Sequence, residues 1–552
     1  MNRIPPLKSP IRYRKHFYMK NKIKMNVKAT VLCLLSVVCS LISCDNEVEK
    51  KSSVDYVNHY MGNISHLPAP ANPTVHLPNG MLRVYPERSD YASGQLNGLP
   101  LMVAGNQRSS SFSISPVSGL SSRLEALKKY SYDNEKICPY RYSVYLDEDK
   151  IQVDFAPSYQ SGIYNFSFEE GNLNQLIISA GNGKLEYTGA GVAGYQMING
   201  GPTIVFMYME AEQPVKNAGA LKARVINYSR NVVDGKDEAM VLDFSSKQIN
   251  IRYGISFISV EQARKNLKRD LSTYSVDIVA EKGRKIWNEA LGKIQVNGGN
   301  ENNKTVFYTS LYRIYERMVS LSEDGQYCNG TDNQVYSEEE SPFRTDDRIW
   351  DTYRAAYPLF GLIAPEIEAD MRKSNIRKPR RTDEGCMHTL PEVADDSLLM
   401  NGNNAYLYNS AGQPWKTQKC IRSLLKQWFR EDMMGITSDE DCNGLSAFVV
   451  FSSMGFYPVT PGSQVYNIGS PLFQNVKINL GNGKFFEIEA QNCSDDNKYI
   501  QSATLNGVEW NKPWFNHEDI ANGGKLVLVM GDIANKSWGA SLENAPPSSE
   551  KM

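Results

Sequence analysis

The chain has 552 residues, 60 of them basic and 61 acidic, for a formal net charge of −1. That length allows about two to four domains with sizeable cores, and so even a charge balance leaves no basic field, so nucleic acid is not an expected partner. Aromatic residues make up 10%, with 31 Tyr and 7 Trp, a share that suits stacking on sugars and β-sandwich cores equally.

Basic residues crowd Arg3 to Lys28, and an apolar run follows from Ala29 to Ile42. The run is too short to span a membrane and has the length of a signal-peptide core. It ends in Leu41-Ile42-Ser43-Cys44, which resembles a bacterial lipobox. Residues 1–43 are therefore expected to be a lipoprotein signal peptide, and Cys44 the lipidated first residue of the mature chain. A discarded secretory signal beside an incidental Cys is the alternative. Residues 44–53, with Asp45, Glu47 and Glu49, read as a flexible acidic tether. The expected location is the cell envelope, at the outer membrane or cell surface, with the membrane reached through the lipid.

Residues 54–258 read as a β-sandwich. Tyr142 and Val144 alternate with Arg141 and Ser143, and Ile151, Val153 and Phe155 with Gln152 and Asp154. The polar turn Asp147–Lys150 between them predicts a hairpin. Gly189-x-Gly191-x-x-Gly194 has the spacing of a dinucleotide fingerprint, but strand-like residues follow it. Without a helix N-terminus there is nothing to hold a phosphate, so the match is rejected.

Helical spacing begins near Glu261, and residues 259–300 read as linker helices. Val279, Ile286, Trp287, Ala290, Leu291 and Ile294 recur every three or four residues. From 301 to 470 five helical stretches follow, near Phe307–Met318, Trp350–Phe360, Pro365–Ser374, Lys416–Phe429 and Leu445–Gly455. Pro414 is a normal helix opener. Residues 471–540 return to strands around the tight-turn pair Asn482-Gly483, and 541–552 read as a disordered tail. The thiols Cys138, Cys328, Cys386, Cys420, Cys442 and Cys493 are scattered without a CxxC, so neither a disulfide framework nor a thiolate metal site is expected.

Asp439, Glu440 and Asp441 stand just before the apolar run Leu445–Phe456. Three readings compete. Ser438 or Asp439 caps a buried helix, where anions are favoured. Asp439-x-Asp441-x-Asn443-Gly444 opens a calcium loop, but its twelfth position is Val450 where a bidentate Glu is required, which excludes an EF-hand. Or the carboxylates work in a sugar site.

Several long motifs bear on that choice: HLPNGMLRVYPERSDY at 76–91, TDDRIWDTYRAAYPL at 345–359, YLYNSAGQPW at 406–415, and SDEDCNGLSAFVVFSSMGFYPVTPG followed by IGSPLF. Together they resemble glycoside hydrolase family 92, the exo-acting, calcium-dependent α-mannosidases. The resemblance implies a multidomain α+β fold, an N-terminal β-sandwich followed by an (α/α)6-toroid-like helical domain and a small C-terminal β region. It implies that Asp439 or Asp441 is the general base, that Asp351 contacts the sugar with Trp350 and Arg354 beside it, and that Ca²⁺ is the cofactor. Trp350 serves equally well as a packed core aromatic. No metal ligand is readable.

The resemblance also exposes a gap. Twelve toroid helices of about 11 residues each, with connections, do not fit between 301 and 470, so the helical domain is expected to be truncated. CMHTLPEVADDSLLMNGNNA (386–405) is similar to the family segment before a long central portion, yet Asn404-Ala405 runs straight into YLYNSAGQPW. The general-acid motif belongs just upstream of that join, where Met400 to Ala405 carry no acid. The resemblance implies an inverting α-mannosidase, of α-1,2 type, trimming mannose-containing glycans. The alternatives are an inactive remnant or a non-catalytic glycan-binding lipoprotein at the surface. A truncated helical domain is further expected to leave the apolar face of Ile421, Leu424 and Trp428 short of partners.

Overall fold

Alternation of large apolar with polar residues carries the chain into strands from Val75 to Ser256. The hairpin expected around Asp147–Lys150 is present: Arg141–Leu146 pairs antiparallel with Ile151–Pro157, Leu146 opposite Ile151. The computed structural model describes residues 51–64, 71–88, 93–104, 109–119, 124–169, 173–198, 201–330, 332–338, 340–345, 349–377, 397–435 and 444–547. The elements below belong to one unit, Ser52–Met552. Among the described residues the strands up to Ser256 form a six-stranded and a ten-stranded antiparallel sheet, beside the short pair Val75–His76 and Arg83–Val84. Between them lies a core that includes Phe112, Tyr164, Phe166, Phe244 and Tyr253.

Helix α1 (Val260–Asp270) starts at Ser259, whose hydroxyl accepts from the Gln262 amide at 3.0 Å. It packs Ala263 and Leu267 against Ala156, Ile163 and Tyr208 of the larger sheet. The approach is close enough that a Cβ on Gly254 would sit 2.2 Å from the Ala263 carbonyl, so glycine is required there. Helix α2 (Val276–Leu291) buries Trp287, whose indole donates to the His76 carbonyl at 2.8 Å.

The linker is not all helix. Ile294–Asn297 is a strand, antiparallel to Asn475–Asn479. Ile294 and Val296 are buried and Gln295 and Asn297 exposed, so Ile294, which the three- and four-residue spacing adds to α2, belongs to a two-residue alternation that begins after Gly292. This strand opens the C-terminal six-stranded sheet, which continues through Phe485–Gln491, Gly524–Gly531, Tyr499–Leu505 and Val508–Glu509.

Six helices between Glu301 and Met454 are among the described residues, where the spacing predicts five: α3 (Glu301–Ile314), α4 (Ile349–Ile363), α5 (Pro365–Arg377), α6 (Ser397–Ser410), α7 (Pro414–Trp428) and α8 (Gly444–Met454). The unforeseen one is α6. Its sequence, SLLMNGNNAYLYNS, holds a glycine and several asparagines, poor helix formers. It is held by packing: Ala405 and Tyr406 are buried, and Thr417 of α7 donates to the Ala405 carbonyl at 2.8 Å.

Every residue of α8 is buried, as its apolar composition all round requires. Around it a single core runs from Val54 through the helices into the C-terminal sheet and on to Trp538. The expected bare face of α7 is covered: Ile421 is fully buried, and Leu424 and Trp428 pack partly buried against this core. The C-terminal region packs along the same helix, since Arg422 donates to the Pro471 carbonyl at 3.0 Å ahead of the sheet and Ile500 N, within it, donates to Gln418 at 3.1 Å. Residues 541–547, expected within a disordered tail, include the 3-10 turn Leu542–Asn544, tied by the Trp514 indole to the Asn544 carbonyl at 2.9 Å. No helix among the described residues is long and apolar enough to cross a membrane.

Candidate active site

The motifs at 345–359 and 406–415 supply helices that pack against α8 or against the helix beside it. Asp439 and Asp441 belong to the segment 436–443 that runs into its N-terminus at Gly444, and both lie outside the described residues, as does Cys44. The stretch leading to them is tied down. Gly62 N donates to Asp432 O at 3.2 Å, Ile64 N to Met433 O at 2.9 Å, and the Asn58 amide to Glu431 O at 2.6 Å. Trp350 and Asp351 fall in the first turn of α4; their side chains are likewise outside the described residues.

Arg354 lies one turn further along α4. Its guanidinium carbon stands 5.7 Å from the centroid of the Tyr353 ring, and its Nε is buried without a hydrogen-bond partner among the described residues. Its charge is felt by Tyr457, which follows α8 and whose hydroxyl is also buried without such a partner. Burial pushes the Tyr457 phenol well above its ordinary pKa, so it is a donor and never an anion at working pH. Behind it stands Tyr406 of α6, stacked at 5.3 Å between ring centroids, with its own hydroxyl donating to Ser452 of α8 at 3.1 Å. Arg354 and Tyr457, near enough for the charge of one to act on the other, thus each keep a buried donor unspent, and donors of that kind can pair with the hydroxyl groups of a ligand. Tyr406 and Tyr457 stood inside recognised motifs, but nothing in their spacing separated them from core aromatics.

The 76–91 motif does two jobs. Asn79, at a φ of 55°, clamps the end of α3: its amide donates to Tyr315 O at 2.8 Å, its side chain to Arg317 O at 2.6 Å, and its carbonyl accepts from Ser320 N at 3.0 Å. Past that clamp, Met81 and Arg83 line a cavity of about 200 Å³ with Met102, Phe257, Arg317 and Thr345. Thr345 directly precedes the residues leading into α4, so the sandwich motif and the 345–359 motif open on one space. Below it Glu316 is buried among Arg83, Arg317 and Arg313, burial raising its pKa and the arginines opposing that rise. His59 and His76 pack on the Tyr312 ring at 4.9 and 5.1 Å, and burial lowers both to a pKa of about 3, so they are neutral structural groups.

The site lacks two things among its described residues. The helix α6 runs through the expected general-acid position from Met400 to Ala405 and carries no carboxylate along its length. No group of three or more His, Cys, Asp or Glu is placed to hold a metal ion among the described residues. Ca²⁺ takes six to eight oxygen ligands, and the described residues do not supply that cradle.

Comparisons with known proteins follow the same outline. A model of the glycosyl hydrolase family 92 N-terminal domain matches residues 56–256, and a model of the family 92 catalytic domain matches 262–405 and 403–532, two segments that meet within α6. The chain is 35% identical over 167 residues to an uncharacterized secreted glycosidase of Arthroderma benhamiae, a match covering 29% of this chain. The chain spans 21% of that relative's length. In fold it is similar to a family GH92 α-mannosidase of Bacteroides thetaiotaomicron solved with mannoimidazole (TM-score 0.80, 19% identity, covering 90% of this chain and 97% of that one). It is similar also to an inverting GH92 mannosidase of the same organism (TM-score 0.79, 22% identity, covering 91% and 100%).

Proposed function

Because the chain belongs to glycosyl hydrolase family 92, we propose that it acts on α-mannosides with a binding site and a general base but without a general acid. The observation that carries this reading is the pair of buried, unspent donors, Arg354 Nε and the Tyr457 hydroxyl, on two of the family motifs. They hold sugar hydroxyls, with Asp351 and Trp350 at the start of the same helix. Asp439 or Asp441 takes a proton from water as its oxygen attacks the anomeric carbon and the bond to the leaving oxygen breaks, which inverts the configuration. An inverting site spaces its two carboxyls about 6.5–9.5 Å apart so that an acid can protonate the leaving group. With no acid from Met400 to Ala405, that proton is not delivered. The meeting of the two catalytic-domain matches at 403–405 supports a missing central portion there.

Natural mannosides, of α-1,2 type in glycans, then react poorly, while a substrate whose leaving group departs without a proton still reacts. The family implies Ca²⁺, which when bound would polarise sugar hydroxyls; the described residues do not form its cradle, and no step here passes through it. We assign the lipid to Cys44 and the location to the cell envelope, where mass spectrometry of the mature N-terminus reads the modification directly.

The test gives the purified chain, with calcium, α-1,2-mannobiose and 2,4-dinitrophenyl α-mannoside in parallel. Turnover of the aryl substrate alone, lost in Asp439→Ala or Asp441→Ala, is expected; general acid help is commonly worth about 10²–10⁴-fold. Rapid mannobiose hydrolysis overturns the missing acid. Binding of mannobiose with neither substrate cleaved favours the second reading, a surface glycan-binding lipoprotein. No interaction with either sinks both.

A further inference from the structure

A second cleft, of about 600 Å³, opens among α1, α2, the Asn79 turn and residues 320–324, and its lining includes none of Arg354, Tyr406 or Tyr457. Its volume is that of a small-molecule site. Three acids, Asp270, Glu289 and Asp324, face three bases, Arg269, Lys293 and Arg344, so its charge cancels. Most of these charges are already committed. Arg269 pairs with Asp324 and Asp270 and bonds to the Gln160 amide oxygen. Arg344 bonds to Asp370 at 3.4 Å, and Asp270 accepts from Gln160 N at 2.9 Å. A charged ligand would have to break such pairs, whereas a neutral one can bond to their outer edges.

Two groups remain uncommitted. Tyr159 is 44% exposed, and neither its hydroxyl nor the Glu289 carboxylate makes a hydrogen bond or ion pair among the described residues. Tyr159 is nonetheless held in place. It sits in the short turn between Ile151–Pro157 and Ser161–Phe168, and its carbonyl accepts from Leu82 N at 2.9 Å. An exposed aromatic ring on an anchored backbone offers a broad apolar face with few torsions to freeze, and the apolar C–H face of a sugar ring suits it. Pro78, Met81 and Ile286 complete an apolar wall.

We propose that this cleft is a second carbohydrate site, taking one or two neutral hexose units on the Tyr159 ring with Glu289 accepting from their hydroxyls. The choice of a mannoside as the probe rests on the function proposed above; the chemistry of the cleft requires only a neutral sugar. Such a site would hold a glycan without cleaving it.

The test is calorimetric titration of the full chain with α-1,2-mannobiose, and in parallel with maltose and lactose. Arg354→Ala disables the first site and is expected to keep one mannobiose-binding event. Adding Tyr159→Ala weakens that event by about tenfold or more, as truncating an aromatic anchor does. Tyr159→Trp retains it, which separates loss of the platform from misfolding. Tyr159-dependent binding of maltose or lactose without any mannobiose binding leaves the cleft standing and removes mannose from its assignment. Binding of none of the three that responds to Tyr159→Ala overturns the proposal.

Discussion

Tyr406 lies on Tyr457 with ring centroids 5.3 Å apart and planes 20° from parallel, and the two phenols differ in one respect. The Tyr406 hydroxyl is spent on Ser452, while that of Tyr457 is buried with no partner among the described residues. An idle buried hydroxyl is costly in the free protein and valuable once a ligand meets it.

Tyr457→Phe therefore separates stability from binding. The variant should be as stable as the parent or more so, by about 1 kcal/mol in a urea titration, while mannoside affinity falls by about tenfold or less. Unchanged affinity would remove Tyr457 from the site. Tyr406→Phe should instead lose about 1 kcal/mol of stability with its Ser452 bond.

Arg354 should not be replaceable by Lys. The unspent atom is Nε, which a lysine stem does not present, and an ammonium cannot reproduce a planar fork. Both Arg354→Ala and Arg354→Lys should lower kcat/KM on the aryl mannoside by about 10- to 100-fold. Rescue by Lys would mean that only the charge is used.

The helices and the C-terminal sheet should unfold together. Phe451, fully buried on α8, belongs to the core shared by both. Phe451→Ala should cost about 3–5 kcal/mol and expose both segments to protease at one temperature. Digestion of the sheet well before the helices would show two cores instead.

Acid should destabilise the protein before its carboxylates titrate. Burial holds His59 and His76 near a pKa of about 3, against an unfolded value near 6.5. Between those values the unfolded chain binds more protons, so the stability these residues contribute is full above pH 6.5 and is lost as pH falls toward 3. Two such sites give a slope of up to ~2.7 kcal/mol per pH unit, and Glu316, whose pKa burial raises, works the other way. Urea midpoints at pH 7 and pH 5 should differ less in His59→Asn/His76→Asn than in the parent. Equal differences would mean that both rings protonate in the folded state.

Local pattern and motif carried much of this molecule. The alternation around Asp147–Lys150 specified its hairpin, Pro414 opened α7, and the all-apolar α8 could only be buried, because each follows from the period of side chains along one segment. The motifs likewise singled out Arg354 and the carboxylate-free stretch from Met400 to Ala405 on which the proposed function rests, since both are matters of which residue stands where.

Other features were decided only by the fold. Ile294 lay on a helical stripe until its pairing with Ile478 made it a strand, and α6 forms against its own propensity because α7 and α8 pack upon it. The face of Ile421, bare in a count of helices, is covered by strands distant in the chain. Tyr406 and Tyr457 differ in what their hydroxyls meet, though both are buried tyrosines in recognised motifs. What separates them is a neighbour's hydroxyl, and only tertiary structure brings Ser452 to one of them and Arg354 near the other, since contacts between distant segments leave no period in the sequence.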